Sequence, residues 1–216
     1  MNVADRCVIA TDSEEVAAAA RECGAEAMLT SADHASGTDR VAEVARRHEF
    51  AGFDAVLNVQ GDEPFVSADA LKGALGMLGR TFSIGTAAVR ASAAILAEPS
   101  VVKVVTADDG RALYFSRAPI PFLRETRDAD DSALLRDRVR QHIGVYAYTR
   151  DALARWVVLP PHPLERIERL EQLRPLAAGW PIGVAVIAGP LRRGIDTETD
   201  LAQANSEWSI FSGEPA

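Results

Sequence analysis

The sequence predicts an α/β fold, a sheet with helices on both faces carrying an inserted β-hairpin. Three observations predict it. Short apolar runs alternate with stretches of helical periodicity through the first half of the chain, the order expected of layered α/β architecture. A DG dipeptide separates two strand-like runs in the middle of the chain. Polar turns follow the apolar runs, and open α/β sheets bind their ligands beyond the carboxyl ends of strands.

The elements follow in order. Arg6 to Ala10 (RCVIA) reads as a short buried strand. Thr11, Asp12 and Ser13 offer three helix N-caps, and Glu14 and Glu15 suit the positive end of a helix dipole. The helix runs to Cys23, with Gly24 as its C′ residue. Ala27 to Leu29 is a second short strand. A polar loop from Thr30 to Thr38 enters a helix carrying Val41, Val44 and Ala45. Asp54 to Val59 is a strand that ends in the turn Gln60-Gly61-Asp62-Glu63-Pro64. Ser67 caps a helix with the stripe Leu71, Leu75 and Leu78, and Ile84 to Val89 is the next strand.

In the second half, Val101 to Thr106 and Arg111 to Phe115 flank Asp109-Gly110 as a hairpin. Arg124 to Arg140 is charge-dense and reads as loop or exposed helix. Gln141 to Thr149 alternates, with Ile143, Val145 and Ala147 on one face and His142, Gly144, Tyr146 and Tyr148 on the other. Pro160, Pro161 and Pro163 punctuate the entry to a helix reaching about Ala177. Gly183 to Ile187 is a last strand and Thr197 to Trp208 a last helix.

Composition bounds the function. The 216 residues are 48% hydrophobic, which suffices for one packed domain, and carry a net charge of −8. An acidic chain argues against nonspecific nucleic-acid or membrane-surface binding, whereas a metal ion can still mediate between carboxylates and phosphates. Cys7 and Cys23 are the two cysteines. With no CxxC spacing, they are expected to be small buried apolar residues in a reducing cytosol. No apolar run reaches transmembrane length and no signal peptide is visible, so a cytoplasmic location is expected.

Five segments could carry chemistry. Asp62 follows an apolar strand beside Gly61 and can hold Mg²⁺ against a phosphate, although Gly, Asp and Pro also make an ordinary polar turn. Asp196 also stands between a strand and a helix; it can join Asp62 at one cation, or it and Thr197 can simply cap the helix. The small residues of Ala32 to Arg40 can form a backbone pocket for a base or phosphate at a helix N-terminus, or Ser36 or Thr38 can be a plain cap. The strand face bearing His142 and Tyr146 can line a polar ligand site or be solvated. In Leu164 to Arg174, helical spacing places Glu171 within the Leu164/Ile167 stripe, where a carboxylate needs a partner or a cavity. Glu165 and Glu168 are expected to face solvent beside a nearby Arg.

Together these segments closely resemble the 3-deoxy-manno-octulosonate (Kdo) cytidylyltransferases. The matching stretches are Ile9-Ala-Thr-Asp12, His34-Ala-Ser-Gly-Thr-Asp-Arg40, Asn58-Val-Gln-Gly-Asp-Glu-Pro64, Val101-Val-Lys-Val-Val105, Leu113 to Pro121, Gln141-His-Ile-Gly-Val-Tyr146, Leu164 to Arg174 and Gly194-Ile-Asp-Thr197. They occur in family order over nearly the whole chain.

The resemblance implies a Rossmann-like nucleotide-binding sheet with a sugar-binding and dimerisation subdomain. One domain would span 1–216, with about 1–100 and 180–216 serving the nucleotide and about 101–179 the sugar and the dimer. It implies CMP transfer from CTP to Kdo, with Mg²⁺, in a cytoplasmic homodimer that feeds lipopolysaccharide biosynthesis. Asp62 and Asp196 would hold the metal and act at the reacting phosphate. Ser36, Gly37, Arg40 and Gln60 would contact the nucleotide, and Arg117, His142, Tyr146, Glu171 and Gln172 the sugar. The family opens with a strand and a triphosphate-binding loop, whereas Met1 here stands just before what would be its second strand. That strand and loop are therefore expected to be absent from these residues, and the natural protein to be longer. The competing expectation is a catalytically impaired homologue that keeps a sugar or nucleotide pocket or serves as a dimer partner.

Overall fold

The computed structural model describes residues 3–79, 81–122, 124, 138–189, 194–195 and 197–212, with backbone alone for 209–212. The chain opens as a parallel β–α–β unit: β1 (Ile9–Thr11), α1 (Glu14–Glu22) and β2 (Ala27–Leu29). Ile9 lies opposite Ala27 and Thr11 opposite Leu29. Of the three candidate caps, Ser13 is the one used, its Oγ accepting the Val16 N–H at 3.3 Å. Gly24, at φ 78°, ends the helix as its spacing predicts. The first strand begins at Ile9, later than Arg6, whose guanidinium pairs with Glu26 at 2.5 Å and covers the Phe50 ring. Cys7 and Cys23 are free and exposed, which corrects the expectation of burial. Cys7 precedes β1, and Cys23 caps the open end of α1.

The remaining elements are α2 (Gly37–Ala45), a 3₁₀ turn at His48–Phe50, β3 (Ala55–Val59), α3 (Ala68–Met77), β4 (Ile84–Arg90), a 3₁₀ turn at Ala93–Ala97, β5 (Lys103–Thr106) and β6 (Ala112–Ser116). Then come β7 (Arg140–Thr149), α4 (Arg150–Trp156), α5 (Pro163–Glu168), α6 (Leu173–Ala177), β8 (Ile182–Ile187) and α7 (Glu198–Ser212). The main sheet has the order β6-β5-β7-β4-β8, with β3 also paired to β7. Strand β7 runs antiparallel to β3, β4 and β5, while β4 and β8 are parallel. Strands β3, β4 and β8 therefore point the same way, and the segments after β3 and β8 leave the sheet at one edge. Among the described residues, no strand pairs with the second edge of β1 or of β3.

Both sheet faces are covered. On one, Ala70 and Ala74 of α3 pack on Ala87, Val89, Ile143, Val145 and Ala147, with Leu71, Leu75 and Leu78 flanking. On the other, Tyr146 and Tyr148 meet Leu153 and Trp156 of α4 and Leu173 of α6. The β7 alternation is thus real, and the His/Tyr face is a second core in place of a solvated surface. The hairpin β5–β6 joins the same sheet through β7, where Lys103 lies opposite Gln141 and the His142 N–H donates to Val102 at 2.9 Å. Residues 125–137 of the charge-dense segment lie outside the described residues.

One expected helix is two. Helix α5 ends at Glu168, Arg169 adopts a left-handed conformation with φ 52°, and α6 begins at Leu173. The break turns Leu170 and Leu173 into the core and leaves Ile167 77% exposed. Among the described residues, no helix is long and apolar enough to cross a membrane.

Among the described glycines, the tightest approach is that of Gly85, between α3 and β4. A Cβ on Gly85 would stand 2.1 Å from the Ala74 carbonyl oxygen. Gly85→Ala is expected to lower the unfolding free energy by about 1–3 kcal/mol, as overpacking does, read from the denaturant midpoint. An unchanged midpoint would show that α3 can move away from β4 freely.

Candidate active site

The start of α2 forms one wall. Ser36 is its N-cap, accepting the Asp39 N–H at 3.2 Å and donating to the Asp39 carboxylate at 2.9 Å. Thr38, the other candidate cap, instead donates its hydroxyl to Glu171 at 2.8 Å. The Gln60 amide lies so close to Gly37 that a Cβ there would stand 2.7 Å from Oε1 and would displace the end of that side chain. Arg40 pairs with Asp12 at 3.1 Å and donates to the Thr30 hydroxyl at 2.6 Å. Four residues predicted together (Ser36, Gly37, Arg40 and Gln60) therefore do lie around one helix start.

Glu43, which sequence reasoning passed over, anchors the loop leading into this helix. Its carboxylate accepts the Ser31 N–H at 2.9 Å and also binds His34 Nε2 at 2.6 Å and Arg47 at 3.2 Å. The Ser31 amide, then His34, hold its carboxyl down to about 2. Its i,i+4 relation to Arg47 is the one signal the sequence offers.

The second wall is the inner face of β7 together with the α5–α6 break. Tyr146 stacks on Tyr148 at 5.9 Å between centroids and meets the His142 ring at 5.4 Å. Glu171 does not sit in an apolar helical stripe. It occupies the break, largely buried, and burial raises its pKa although Thr38 and Ser36 oppose the shift. Burial, then Tyr148 and Glu171, push the Tyr146 hydroxyl well above its ordinary value. The Tyr146 hydroxyl and the Gln172 Nε2 are buried with no hydrogen-bond partner. Such atoms are rare unless a ligand or water completes them. His142, Tyr146, Glu171 and Gln172 thus belong to one corner that adjoins the α2 wall through Thr38.

Arg117 is placed differently. Its Nε donates to the Glu168 carbonyl at 3.1 Å, and Nη1 donates to the carbonyls of Pro99 and Ser100 at 3.2 and 3.1 Å. No described hydrogen bond joins it to the His142–Glu171 corner. Glu168, expected in solvent, accepts from the Ser116 hydroxyl at 2.6 Å and the Arg117 N–H at 3.0 Å. Glu165 is likewise turned inward, to Arg174 at 2.5 Å. Burial alone would raise its pKa, but the hydrogen bonds from Arg174 and the His162 amide outweigh that and hold the carboxyl below its usual range. Lys103 is a further residue that sequence reasoning did not single out. It is wholly buried, donating to the carbonyls of Glu98 at 2.9 Å, Val101 at 2.8 Å and Arg117. All three ammonium protons are used, which is how a buried lysine is tolerated. A lone lysine inside VVKVV was the available signal.

Asp62 is exposed, just past β3. The Ile195 N–H donates to the Asp62 carbonyl at 2.7 Å, and a Cβ on Gly194 would lie 2.8 Å from that same oxygen. The chain immediately before Asp196 is therefore docked on Asp62, and glycine at 194 permits it. Asp196 itself lies outside the described residues. Among the described residues, no three His, Cys, Asp or Glu side chains form a metal-binding group.

The cytidylyltransferase family profile matches residues 1–184. The chain is 60% identical over 212 residues to the 3-deoxy-manno-octulosonate cytidylyltransferase of Gemmatimonas aurantiaca, covering 98% of this chain and 81% of that protein. It is 44% identical over 206 residues to the protein of the same name from Methylococcus capsulatus, covering 94% and 80%. Its fold matches the structure of CMP:2-keto-3-deoxy-manno-octonic acid synthetase complexed with CTP at a TM-score of 0.82 and 36% identity, over 95% of this chain and 81% of that one. The inositol-1-phosphate CTP transferase of T. maritima, at 14% identity and a TM-score of 0.60, shares the fold over 98% of this chain and 78% of that one. A two-sided α/β sheet with one polar wall at the start of α2 and another on the inner face of β7, together with the family match, defines a CTP-dependent nucleotidyltransferase. Within that class, the chain belongs to the 3-deoxy-manno-octulosonate cytidylyltransferase family.

The Glu43 hub carries a pH dependence. Its folded-state pKa lies below the ordinary 4.5, so its contribution to loop order is complete above that value. It is lost as pH falls from there through about 2. Amide exchange of Ser31 is expected to accelerate over this window in the parent protein. In Glu43→Gln it should already be fast at neutral pH.

Proposed function

We propose that this protein transfers CMP from CTP to the anomeric hydroxyl of 3-deoxy-manno-octulosonate, releasing pyrophosphate. The observation that carries the reading is the Thr38–Glu171 hydrogen bond at 2.8 Å. It couples the helix start holding Ser36, Gly37, Arg40 and Gln60 to the corner holding His142, Tyr146 and Gln172. A nucleotide at the first wall and a polyhydroxylated acid at the second would be neighbours. The names of the relatives in Gemmatimonas and Methylococcus, and the CTP-complexed synthetase, support the same pair of substrates.

The start of α2 offers backbone N–H groups and a positive dipole end to the nucleotide. Gln60, held against Gly37, can read a base edge. Arg40 is already tied to Asp12 and Thr30, so it arrives pre-oriented. The unpartnered Tyr146 hydroxyl and Gln172 amide await sugar oxygens. Arg117 retains one terminal nitrogen beyond its carbonyl contacts, so we assign it a supporting place beside the sugar carboxylate.

Asp62 and Asp196 are hard oxygen donors suited to Mg²⁺, and the docking of Ile195 on Asp62 supports their use as a pair. The ion supplies neutralisation of phosphate charge and acidification of the attacking hydroxyl. What the protein's own side chains supply is alignment: the sugar hydroxyl is held in line with the α-phosphorus and the departing pyrophosphate.

The same reading divides the chain into nucleotide parts at about 1–100 and 180–216 and a sugar and dimer part at about 101–179. The exposed Leu113, Phe122, Leu164 and Ile167 all fall in the latter and support a homodimer contact there. A cytoplasmic enzyme serving lipopolysaccharide biosynthesis completes the assignment.

With CTP, Kdo and Mg²⁺, pyrophosphate release is the expected outcome, measured by a coupled phosphate assay. Asp62→Asn is expected to reduce it by at least the ~100-fold that outer-shell partners of metals already cost. Glu171→Gln is expected to raise the KM for Kdo by about tenfold while leaving that for CTP unchanged. Absence of both CTP binding and pyrophosphate release would overturn the reading.

A further inference from the structure

Thr86 is buried in mid-strand at 0% exposure, on β4, next to an irregularity in its pairing with β7. Thr86 lies opposite Tyr146, but the next residue, Ala87, lies opposite Ile143, so Gly144 and Val145 have no counterpart on β4. The interruption takes the Val145 carbonyl out of the ladder on that side. The Thr86 hydroxyl fills the gap, with Oγ1 2.7 Å from the Val145 oxygen and 3.4 Å from that of Ile143. The same Oγ1 is 2.9 Å from His142 Nε2.

The proton count resolves this arrangement. A hydroxyl has one proton to donate, and a carbonyl oxygen can only accept. The Thr86 proton is therefore committed to the Val145 carbonyl, and the contact with His142 must run the other way, from Nε2–H to Oγ1. The ring is packed edge-on to Phe115 at 5.1 Å between centroids and beside Tyr146 at 5.4 Å, so it cannot easily turn over. Burial lowers its pKa to about 3, so the imidazole carries one proton at neutral pH.

We propose that Thr86 is a positioning residue that fixes His142 as the Nε2–H tautomer, leaving Nδ1 as a hydrogen-bond acceptor for a ligand hydroxyl. The consequence is chemical selectivity. A neutral imidazole offering an acceptor nitrogen binds an O–H donor and gives nothing to a carboxylate. His142 thereby reads a hydroxyl of the acidic sugar, and the carboxylate falls to other groups. Its kinetic consequence rests on the Kdo-binding role proposed above, while the tautomer itself rests on the hydrogen-bond geometry alone.

Long-range ¹H–¹⁵N correlation spectra of histidine-labelled protein test it, with His142→Gln assigning the ring. The parent protein and Thr86→Ser are expected to show His142 protonated at Nε2 throughout pH 5–8. Thr86→Val, which keeps the shape and loses the hydroxyl, should lose that preference. Its KM for Kdo should rise about tenfold, or about 1.4 kcal/mol. Its KM for CTP should stay at the parent value, and Thr86→Ser should retain the parent KM for both. An Nδ1–H tautomer in the parent protein overturns the proposal, as does a Thr86→Val protein with the parent's tautomer and Kdo KM. If the tautomer follows Thr86 but Kdo is not turned over, the positioning role stands and the substrate assignment is what fails.

Discussion

The pairing of β7 governs this fold. It meets β4 along one edge and shares the other between β5 and β3. Its alternation feeds two cores at once: Ile143, Val145 and Ala147 toward α3, and Tyr146 and Tyr148 toward α4 and α6. A strand so enclosed has no freedom of register, because a one-residue slip would exchange both faces. That rigidity lets His142 and Tyr146 serve as fixed points, and it makes the one irregularity, at Gly144 and Val145, the place where the ladder yields to a side chain.

The second constraint is the break after α5. A continuous helix would have kept Glu171 in register with Leu164 and Ile167. Instead Arg169 takes a left-handed conformation, and Leu170 and Leu173 enter the core. Glu171 and Gln172 come to lie where the chain is neither helix, facing Thr38 across the site. The surrounding ion pairs and carbonyl contacts hold that segment down. Glu165 engages Arg174, Glu168 engages Ser116 and the Arg117 amide, and Lys103 gathers three carbonyls beneath them. Charges that look like surface decoration in the sequence are the frame of the sugar-side wall.

Glycine marks the close approaches. Gly37 admits Gln60, Gly85 admits the Ala74 carbonyl, and Gly194 admits the Asp62 carbonyl. Two of these three flank the proposed nucleotide and metal positions, where backbone must come near other backbone or near a side-chain amide. The fold of this chain and its candidate pocket thus share one device, absence of a Cβ at a contact.

The sequence by itself determined the alternation of strands and helices, the cap Ser67, the DG hairpin, and the family, because these are local or ordered features that survive without coordinates. It offered Ser13 and Ser36 beside rival caps, and the structure chose between them. It also named the residues around the α2 start and four members of the sugar-side corner. It placed Leu164 and Ile167 in the apolar stripe of one helix, whereas the break at Arg169 buries Leu170 and Leu173 and leaves Ile167 outside. It could not show that Arg117 spends its donors on carbonyls, that both cysteines are exposed, or that Thr38 bonds Glu171 across 133 positions of chain. Nor could it find Thr86, an unremarkable threonine in an apolar strand. Its part depends on a pairing irregularity and on which atoms compete for one proton. Those are properties of how the strands meet in space, and only the tertiary structure decides them.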